Sequence, residues 1–365
     1  MSTKPTQGIM LHRFLQSSAL AVLAFYVVFP STALSQQDAA LAAHFNSRPV
    51  TIIVGSSPGG GYDLSARLVA RFVGKYLPGN PNFIVQNMPG AGQLRGLRAT
   101  MKAKPDGLTI GQLHPRFVVQ ELFGKDVPGF DLNKVKIIGT PTGVDYPRMW
   151  CTRRELAASW QDILKLGKPV SVGANAPGGL SATLGPEFVQ ALGGPVDIIF
   201  GYGGASEVMA GFDRKELDSI QYCTDDYVPR LFPEWIKQKR LAPIFWWGAK
   251  PSDDYVGQLG SSNLPHIADA LGATADQRKA FDVAIGFGRM GRLLVAPPGL
   301  DERVYQAWKS ALKASVQDPE FKKAAAVAGL DVGLGSAEDF HENNAKLKTL
   351  PKNLQELVKK LAGMK

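Results

Sequence analysis

The sequence has few of the residues that carry metal and redox chemistry. Its five histidines are scattered over 365 residues without the spacing of metal ligands, so no metal site is expected. Only two cysteines are present, Cys151 and Cys223, both in apolar, strand-like surroundings. They leave two interpretations open: a disulfide, which an exported chain would permit, or two buried free thiols.

Long runs of basic charge and long apolar runs are also missing. The formal net charge is +9, but no five basic residues are consecutive, so nucleic-acid binding is not favoured. No apolar run reaches the ~20 residues that cross a bilayer. With 45% hydrophobic and 20% charged residues, the composition is that of a globular chain long enough for two domains.

The motifs of nucleotide and acyl chemistry are incomplete. The dinucleotide pattern G-x-G-x-x-G breaks at Leu64 in the first glycine-rich loop and at Arg95 in the second. No G-K-[ST] phosphate loop and no G-x-S-x-G nucleophile turn occurs. The sequence therefore predicts no cofactor and no catalytic residue, and it favours binding over turnover.

The first 35 residues have the composition of a secretory signal peptide. A basic start with Lys4 and Arg13 precedes an apolar stretch at 19–29, and small residues lead up to Ser35. No cysteine follows that would carry a lipid anchor. Removal of this segment takes away two basic residues and no acid, which lowers the charge from +9 to +7. The segment predicts an exported protein.

Glycine-rich loops recur where apolar strands give way to helical patterns. Residues 50–54 read as a buried strand, 58–61 as a glycine turn, and a helix follows from Asp63. Such a turn leaves backbone N–H groups at a helix N-terminus, which attracts anions. One loop alone is equally well explained as a tight turn without a ligand.

The same succession of strand, loop and helix continues along the chain. Loops at 89–93 and 114–116 follow the next two predicted strands, and loops at 175–181 and 201–206 repeat the arrangement in the second half. Alternating strands and helices predict α/β sheets, whose ligands sit at the carboxyl ends of the strands. Four of these loops, at 58–61, 89–93, 175–181 and 201–206, are rich in glycine and contain few titratable groups. They favour the binding of a small carboxylate.

Several motifs resemble those of the Bug-type receptors, the periplasmic solute-binding proteins of tripartite tricarboxylate transporters. Residues 58–67 are similar to the family's P-G-G-x-x-D-x-x-A-R, residues 86–92 to its E-N-x-P-G-A-G-G, and residues 104–109 to its P-D-G-Y-T. Residues 201–204 and 296–299 fall where the family has a G-Y-x-G stretch and an A-P-x-G stretch. The resemblance covers nearly the whole chain after the signal segment.

The resemblance implies a two-lobed α/β fold of the type II periplasmic-binding-protein class. Each lobe would be a mainly parallel sheet flanked by helices, with the ligand in the cleft between them. We expect one lobe from residues 47–148 plus 285–365 and the other from 149–284, with hinges near 149–151 and 284–288. No cofactor is implied, and the protein is expected to be a monomer.

The candidate ligand-binding residues combine these loops with the family's contacts. Those of the first lobe are Ser56, Ser57, Pro58, Gly59, Gly60, Gly61, Tyr62, Asp63, Gly90, Ala91, Gly92, Gln93, His114 and Arg116. Those implied for the second lobe are Ala176, Gly178, Gly179, Ser181, Tyr202, Gly203, Gly204 and Asp225.

Some candidates carry two interpretations. Asp63 either caps its helix or accepts a hydrogen bond from the ligand, and Arg116 and Arg289 are either partners of a second carboxylate or solvated surface groups. Two positions depart from the family pattern: the pair Ser56 and Ser57 adds hydroxyl groups, and Gln93 replaces a glycine.

The function expected from these features is capture of a di- or tricarboxylate or an aromatic acid for uptake by the membrane subunits of such a transporter. Two alternatives remain open: an exported enzyme acting on a carboxylated substrate, and a receptor that feeds a sensor.

Overall fold

The computed structural model describes residues 31–142, 147–180, 182–225 and 227–364. Most of the predicted signal peptide, residues 1–30, lies outside the described residues, as does Ser181. Helix α1 (Ser31–Phe45) leads into the first strand. Within the described ranges, no helix is both long and apolar enough to cross a membrane.

One sheet has six strands in the order β11-β4-β10-β3-β1-β2. Its strands are β1 (Val50–Val54), β2 (Phe83–Asn87), β3 (Thr109–Leu113), β4 (Lys136–Thr142), β10 (Leu293–Ala296) and β11 (Val332–Gly335). Strand β1 is parallel to β2 and β3, whereas β10 is antiparallel to β3 and β4. Strand β1 is rich in β-branched residues and largely buried, as its sequence predicted.

The second sheet has five strands in the order β7-β6-β8-β5-β9. They are β5 (Pro147–Arg153), β6 (Val170–Ala174), β7 (Val196–Phe200), β8 (Ser219–Ile220) and β9 (Leu241–Gly248). Strand β6 is parallel to β7 and β8, and β5 is antiparallel to β8 and β9. The two-lobed α/β fold is confirmed, with mixed rather than mainly parallel sheets, because strands such as β10 enter their sheet from the other half of the chain.

Helices cover both sheets. Up to residue 213 they are α2 (Gly61–Phe72), α3 (Leu94–Met101), α4 (Pro115–Leu122), α5 (Trp160–Lys165), α6 (Leu184–Ala191) and α7 (Ala205–Asp213). After residue 213 they are α8 (Val228–Leu231), α9 (Pro233–Lys237), α10 (Asp253–Gln258), α11 (Ile267–Ala270), α12 (Ala275–Arg289), α13 (Glu302–Ser315), α14 (Pro319–Val327), α15 (Ala337–Thr349) and α16 (Lys352–Leu361).

The chain passes between the sheets after β4 and again after α12. Helix α13 packs on β4 and α2, while α16 packs on α12 and α6. The C-terminal helix thus contacts an element that follows the second sheet. The predicted lobe boundaries and hinges stay predictions.

The two cysteines form a disulfide, which resolves the alternative left open by the sequence. Cys151 on β5 is bonded to Cys223, just beyond β8, and both residues are fully buried. Disulfides persist in oxidising compartments, so the bond is consistent with export. It joins β5 to a segment that reaches the cavity described below.

Candidate ligand-binding site

A cavity of about 100 Å³ lies between the two sheets. Its walls come from segments that follow the carboxyl ends of β1, β2 and β3 in one sheet and β6, β7 and β8 in the other. This is the position at which open α/β sheets bind ligands. One water needs at least about 10–15 Å³ of cavity volume, so this cavity has room for a molecule larger than a single water.

The loop before α2 brings backbone N–H groups to this cavity. Gly60 is the N-cap of α2 and makes no side-chain capping bond, and the first turn of any helix leaves N–H groups without intrahelical partners. Gly61 is closely approached: a Cβ atom there would lie 2.5 Å from Arg292 Nη2 and 2.6 Å from the Tyr227 hydroxyl oxygen. Only glycine therefore allows these two side chains to reach the helix start.

Asp63 stabilises this loop by accepting hydrogen bonds. Its Oδ2 accepts hydrogen bonds from Gly59 N and Arg67 Nε, each at 2.9 Å. Burial disfavours the charged form, but the bonds from Arg67, Gly59 and Asn87 outweigh it and lower the pKa of Asp63. Asp63 does not line the cavity, so its observed contacts are those of a loop anchor.

The second glycine loop of the first lobe has an unusual backbone. Gly90, Ala91, Gly92 and Gln93 all have positive φ, which costs a non-glycine residue roughly 1–2 kcal/mol. Gln93 is 6% exposed and turns its side chain into the cavity wall. Left-handed non-glycine residues that persist in folded proteins cluster at functional sites.

Arg116 holds this loop against the second lobe. Its Nη2 donates to the carbonyl oxygens of Ala91 and Gly92, and its Nη1 donates to the carbonyl oxygen of Pro177 at 3.1 Å. Burial lowers the pKa of Arg116 to about 10, which leaves it charged at neutral pH.

His114 and Tyr62 form the wall beside Arg116. The His114 ring caps α4 by accepting from Arg116 N at 3.2 Å and stacks on Tyr62 with 5.8 Å between ring centroids. Burial, together with Arg116, lowers the pKa of His114 well below its usual value, so the ring is neutral. Burial raises the pKa of Tyr62 to about 12, against the opposing effect of Arg292.

In the second lobe, Glu187 on α6 accepts hydrogen bonds from backbone N–H groups of the glycine loop that precedes this helix. Its Oε1 accepts from Gly178 N at 2.7 Å and from Gly179 N at 3.2 Å. Burial raises the pKa of Glu187 to about 8, although the two N–H groups and Arg116 favour its charged form. Gly178 is further enclosed by the C-terminal segment, because a Cβ atom there would lie 2.2 Å from the Ala362 carbonyl oxygen.

The two lobes are joined at the mouth of the cavity by Ser57. Its Oγ donates to Glu207 Oε1 at 2.6 Å, and its N–H donates to the carbonyl oxygen of Gly203 at 3.3 Å. Glu207 also accepts from Gly203 N at 2.8 Å. The hydroxyl of Ser57 is thus used between protein groups, whereas that of Ser56 faces the cavity.

Several buried polar atoms in the cavity wall have no hydrogen-bond partner. They are Ser56 Oγ, the Tyr62 hydroxyl, Gln93 Oε1, Arg116 Nε, Thr183 Oγ1 and Gln221 Oε1. Buried polar groups in native proteins are nearly always hydrogen-bonded, and leaving one unpaired costs about 1–3 kcal/mol. Convergence of these atoms on one cavity indicates a site for a polar ligand.

The sequence-predicted residues divide into two groups. Those that line the cavity are Ser56, Gly60, Gly61, Tyr62, Gln93, His114, Arg116, Ala176, Gly179, Gly203 and Gly204. Those that lie outside its wall are Ser57, Pro58, Gly59, Asp63, Gly90, Ala91, Gly92, Gly178, Tyr202 and Asp225. A wider outer cleft of about 420 Å³ is bordered by Gly90, Ala91, Gly92 and Tyr202.

Sequence reasoning missed part of the wall. The additional lining residues are Arg148, Asn175, Ala182, Thr183, Ala205, Gln221, Tyr222, Thr224, Tyr227, Gly288, Gly291 and Arg292. The predicted Arg289 is exposed on α12, while Arg292, beyond the helix end, is buried and lines the cavity. A positive φ at Arg292 directs this residue inward, and no local sequence signal predicts that conformation.

Two consecutive tryptophans on β9, Trp246 and Trp247, belong to the core rather than to the cavity. Trp247 is fully buried, and Trp246 Nε1 donates to the Leu264 carbonyl oxygen at 3.1 Å. Among the described residues, no group of three or more His, Cys, Asp or Glu side chains could hold a metal ion.

No model of a known protein family matches the chain. A UPF0065 protein of Cupriavidus necator is 25% identical over 294 residues, which cover 79% of this chain and 80% of the relative. Shorter alignments match a UPF0065 protein of Agrobacterium vitis, 36% identical over 27% of each chain, and BugT of Bordetella pertussis, 42% identical over 18% of this chain. The chain spans only 27% and 20% of these two relatives.

Solved structures share the fold. The periplasmic binding protein BugD matches with a TM-score of 0.64 and 23% identity over 87% of this chain and 99% of its own. MatC of Rhodopseudomonas palustris, solved with bound malate, matches with a TM-score of 0.59 and 15% identity over 87% and 98%. An R. palustris protein solved with adipate has a TM-score of 0.62 and 18% identity over the same shares.

BugD is described as a periplasmic binding protein, and a further structure with this fold is described as a periplasmic transporter. The motifs in the glycine loops, the curated relatives and the two-lobed fold agree with one another. The chain is similar to UPF0065 and Bug proteins, and it has the fold of the periplasmic binding protein BugD.

Proposed function

We propose that this protein is a periplasmic receptor that captures a small carboxylate and delivers it to the membrane subunits of a tripartite tricarboxylate transporter. The carrying observation is the cavity between the sheets, toward which unpartnered buried polar atoms converge. Malate and adipate, the ligands of two fold relatives, are both small dicarboxylates. The signal-like N-terminus and the disulfide support export.

The lining groups suit a carboxylate. Backbone N–H groups at the start of α2 and the buried guanidinium groups of Arg116, Arg148 and Arg292 surround the space. Charge-assisted hydrogen bonds from such donors to a carboxylate are roughly twice as strong as neutral ones. Closure of the lobes over the acid would bring Ser57 against Glu207, as seen here.

The test is a ligand panel on the mature protein, read by thermal shift and by calorimetry. The panel contains mono-, di- and tricarboxylates and aromatic acids, each with its amide as a neutral counterpart. A ligand at 100 times its Kd stabilises the folded state by about 2.7 kcal/mol, so an acid should raise the Tm while its amide does not. A panel in which no acid binds would refute the proposal.

A matched pair of variants locates the site. Gln93→Glu places a negative charge in the cavity wall with almost no change in shape, and it should weaken acid binding at least 100-fold. Gln238→Glu makes the same change at an exposed position directly after α9 and should leave the Kd unchanged. Equal effects of the two changes would place the acid elsewhere.

Delivery to a transporter is tested separately. The mature protein, loaded with the acid that binds, should support uptake in vesicles that carry the membrane subunits. A pull-down from the native membrane that returns a sensor kinase and no transporter subunit would replace uptake with sensing.

A further inference from the structure

Gln221 presents a hydrogen-bond acceptor to the cavity. It lies directly after β8, is 1% exposed and lines the cavity wall. Its Nε2 donates to the carbonyl oxygen of Gly173 on β6 at 2.7 Å. Because the amide nitrogen is committed to that carbonyl, the assignment of the two amide ends is settled, and Oε1 is the end left without a partner.

The segment that carries Gln221 is held on both sides. Tyr222 forms a β-bridge with Met149, and Cys223 is bonded to Cys151 on β5. The bridge and the disulfide hold the backbone of this segment, and the Nε2 bond to the Gly173 carbonyl oxygen holds the amide. The acceptor is therefore a fixed property of the cavity.

A simple carboxylate cannot pair with this oxygen. An ionised carboxylate only accepts hydrogen bonds, as does the Gln221 carbonyl oxygen, so the two atoms would repel each other. A buried acceptor that stays unpaired in the complex weakens binding. A ligand with its own N–H or O–H group can donate a hydrogen bond to the Gln221 oxygen, so this loss of affinity does not occur.

We propose that Gln221 is a specificity-determining residue, which makes the site prefer acids that carry a hydroxyl or amino group beside the carboxylate. This inference rests on the proposed function, since it concerns which acid occupies the same cavity. A site built to pair with a ligand hydroxyl discriminates strongly against the analogue that lacks it, because its own polar group is then left unpaired.

Gln93 provides the contrast. Its Oε1 is also buried and unpartnered, but no hydrogen bond among the described residues fixes the orientation of its amide. Either end of Gln93 can therefore face the ligand, and the nitrogen end suits any carboxylate. Gln93 should contribute to affinity for all acids without selecting among them.

The first measurement uses the wild-type protein and needs no variant. Each unsubstituted acid that binds, with succinate and adipate as the starting probes, is compared by calorimetry with its 2-hydroxy, 2-amino and 2-fluoro derivatives. Fluorine resembles the hydroxyl in size but donates no hydrogen bond. We expect at least one donor-bearing derivative to bind 10- to 100-fold more tightly than both the fluoro and the unsubstituted acid.

The second measurement uses Gln221→Met, with Gln93→Met as its matched control. Gln221→Met should reduce the preference for the donor-bearing acid to less than threefold. Gln93→Met should weaken the binding of every acid and leave the preference for the donor-bearing acid unchanged. Equal wild-type binding of the hydroxy, amino and fluoro acids would overturn the inference while leaving carboxylate capture intact, as would a preference that survives Gln221→Met. If no acid binds the wild-type protein, the proposed function fails, and the inference fails with it.

Discussion

The glycine loops before α2 and α6 have the same sequence character and different uses. Each follows a buried strand and leads into a helix. The loop before α2 ends in Gly60, an N-cap without a side-chain bond, and its helix start opens on the cavity. In the loop before α6, Gly178 N and Gly179 N are both bonded to Glu187 of the same lobe.

The difference lies in the acid that follows each loop. Asp63, in the first turn of α2, accepts a hydrogen bond from one backbone N–H of its loop, that of Gly59, and a second bond from the Arg67 side chain. Glu187 has a longer side chain, starts within α6, and reaches back to both glycine amides. A glycine loop therefore indicates a tight turn, whereas the position and length of the next acid decide whether its amides are available to a ligand.

The largest expected effect comes from removing the internal acid. Glu187→Ala leaves the amides of Gly178 and Gly179 buried without acceptors, and it should lower the free energy of unfolding by about 2–4 kcal/mol. Urea denaturation of the unliganded protein at pH 7 measures this change.

The control is Glu207→Ala, which removes an acid with the same bond to a loop amide, Gly203 N, at an exposed site. Water replaces the lost acceptor there, so the loss of stability should stay below about 1 kcal/mol. If the two variants were destabilised equally, burial of the amides would not be what distinguishes the α6 loop.

The protonation of Glu187 should make stability depend on pH. Burial raises its pKa to about 8 in the folded protein, whereas an unfolded chain has the usual value near 4.5. The folded state keeps a proton that the unfolded state has lost, so this contribution to stability is full below about pH 4.5 and disappears as the pH rises to about 8. Its size is on the order of a few kcal/mol.

Glu187→Gln removes this titration and keeps an acceptor for the loop. The difference in Tm between the wild-type protein and Glu187→Gln should therefore change in favour of the variant between pH 5 and pH 8.5. A constant difference across this range would show that Glu187 titrates normally.

The variant Gly61→Ala tests the loop before α2, whose helix start opens on the cavity. The added methyl group would displace Arg292 Nη2 and the Tyr227 hydroxyl, and affinity for the bound acid should fall by about 10- to 100-fold, or roughly 1.4–2.7 kcal/mol. The matched change Gly60→Ala meets no atom closer than 3.8 Å and should alter the Kd less than threefold. Calorimetry with the best acid of the panel decides, and similar losses in both variants would contradict the role of Gly61.

The smallest effect is expected at the bond between the lobes. Ser57→Ala removes the 2.6 Å bond to Glu207, which lies at an exposed position, and should weaken binding two- to fivefold, mainly through faster release. Stopped-flow measurement of ligand release tests this. An unchanged release rate would mean that Ser57 does not hold the lobes together.

The sequence predicted many of the residues that line the cavity, and the residues that it did not predict were missed for one common reason. The glycine pattern and the resemblance predicted the loops that supply Gly61 and Gln93 to the cavity wall. Arg148 and Gln221 were missed because they lie in or beside strands of the second sheet, where neighbouring residues suggest only a buried core. Local pattern does not show which strand residue faces a cavity formed with another sheet.

By itself, the sequence indicated the strands and helices beside the glycine loops, the resemblance to Bug-type receptors and the turns that favour glycine, because these follow from local backbone preferences and from motifs a few residues long. It left the pairing of Cys151 with Cys223 open, and that bond was settled by the packing of β5 against β8. The tertiary structure alone decided which polar atoms meet. Whether a glycine amide faces Glu187 or an open cavity depends on groups that are close in space, and burial then determines how much each unpaired atom costs.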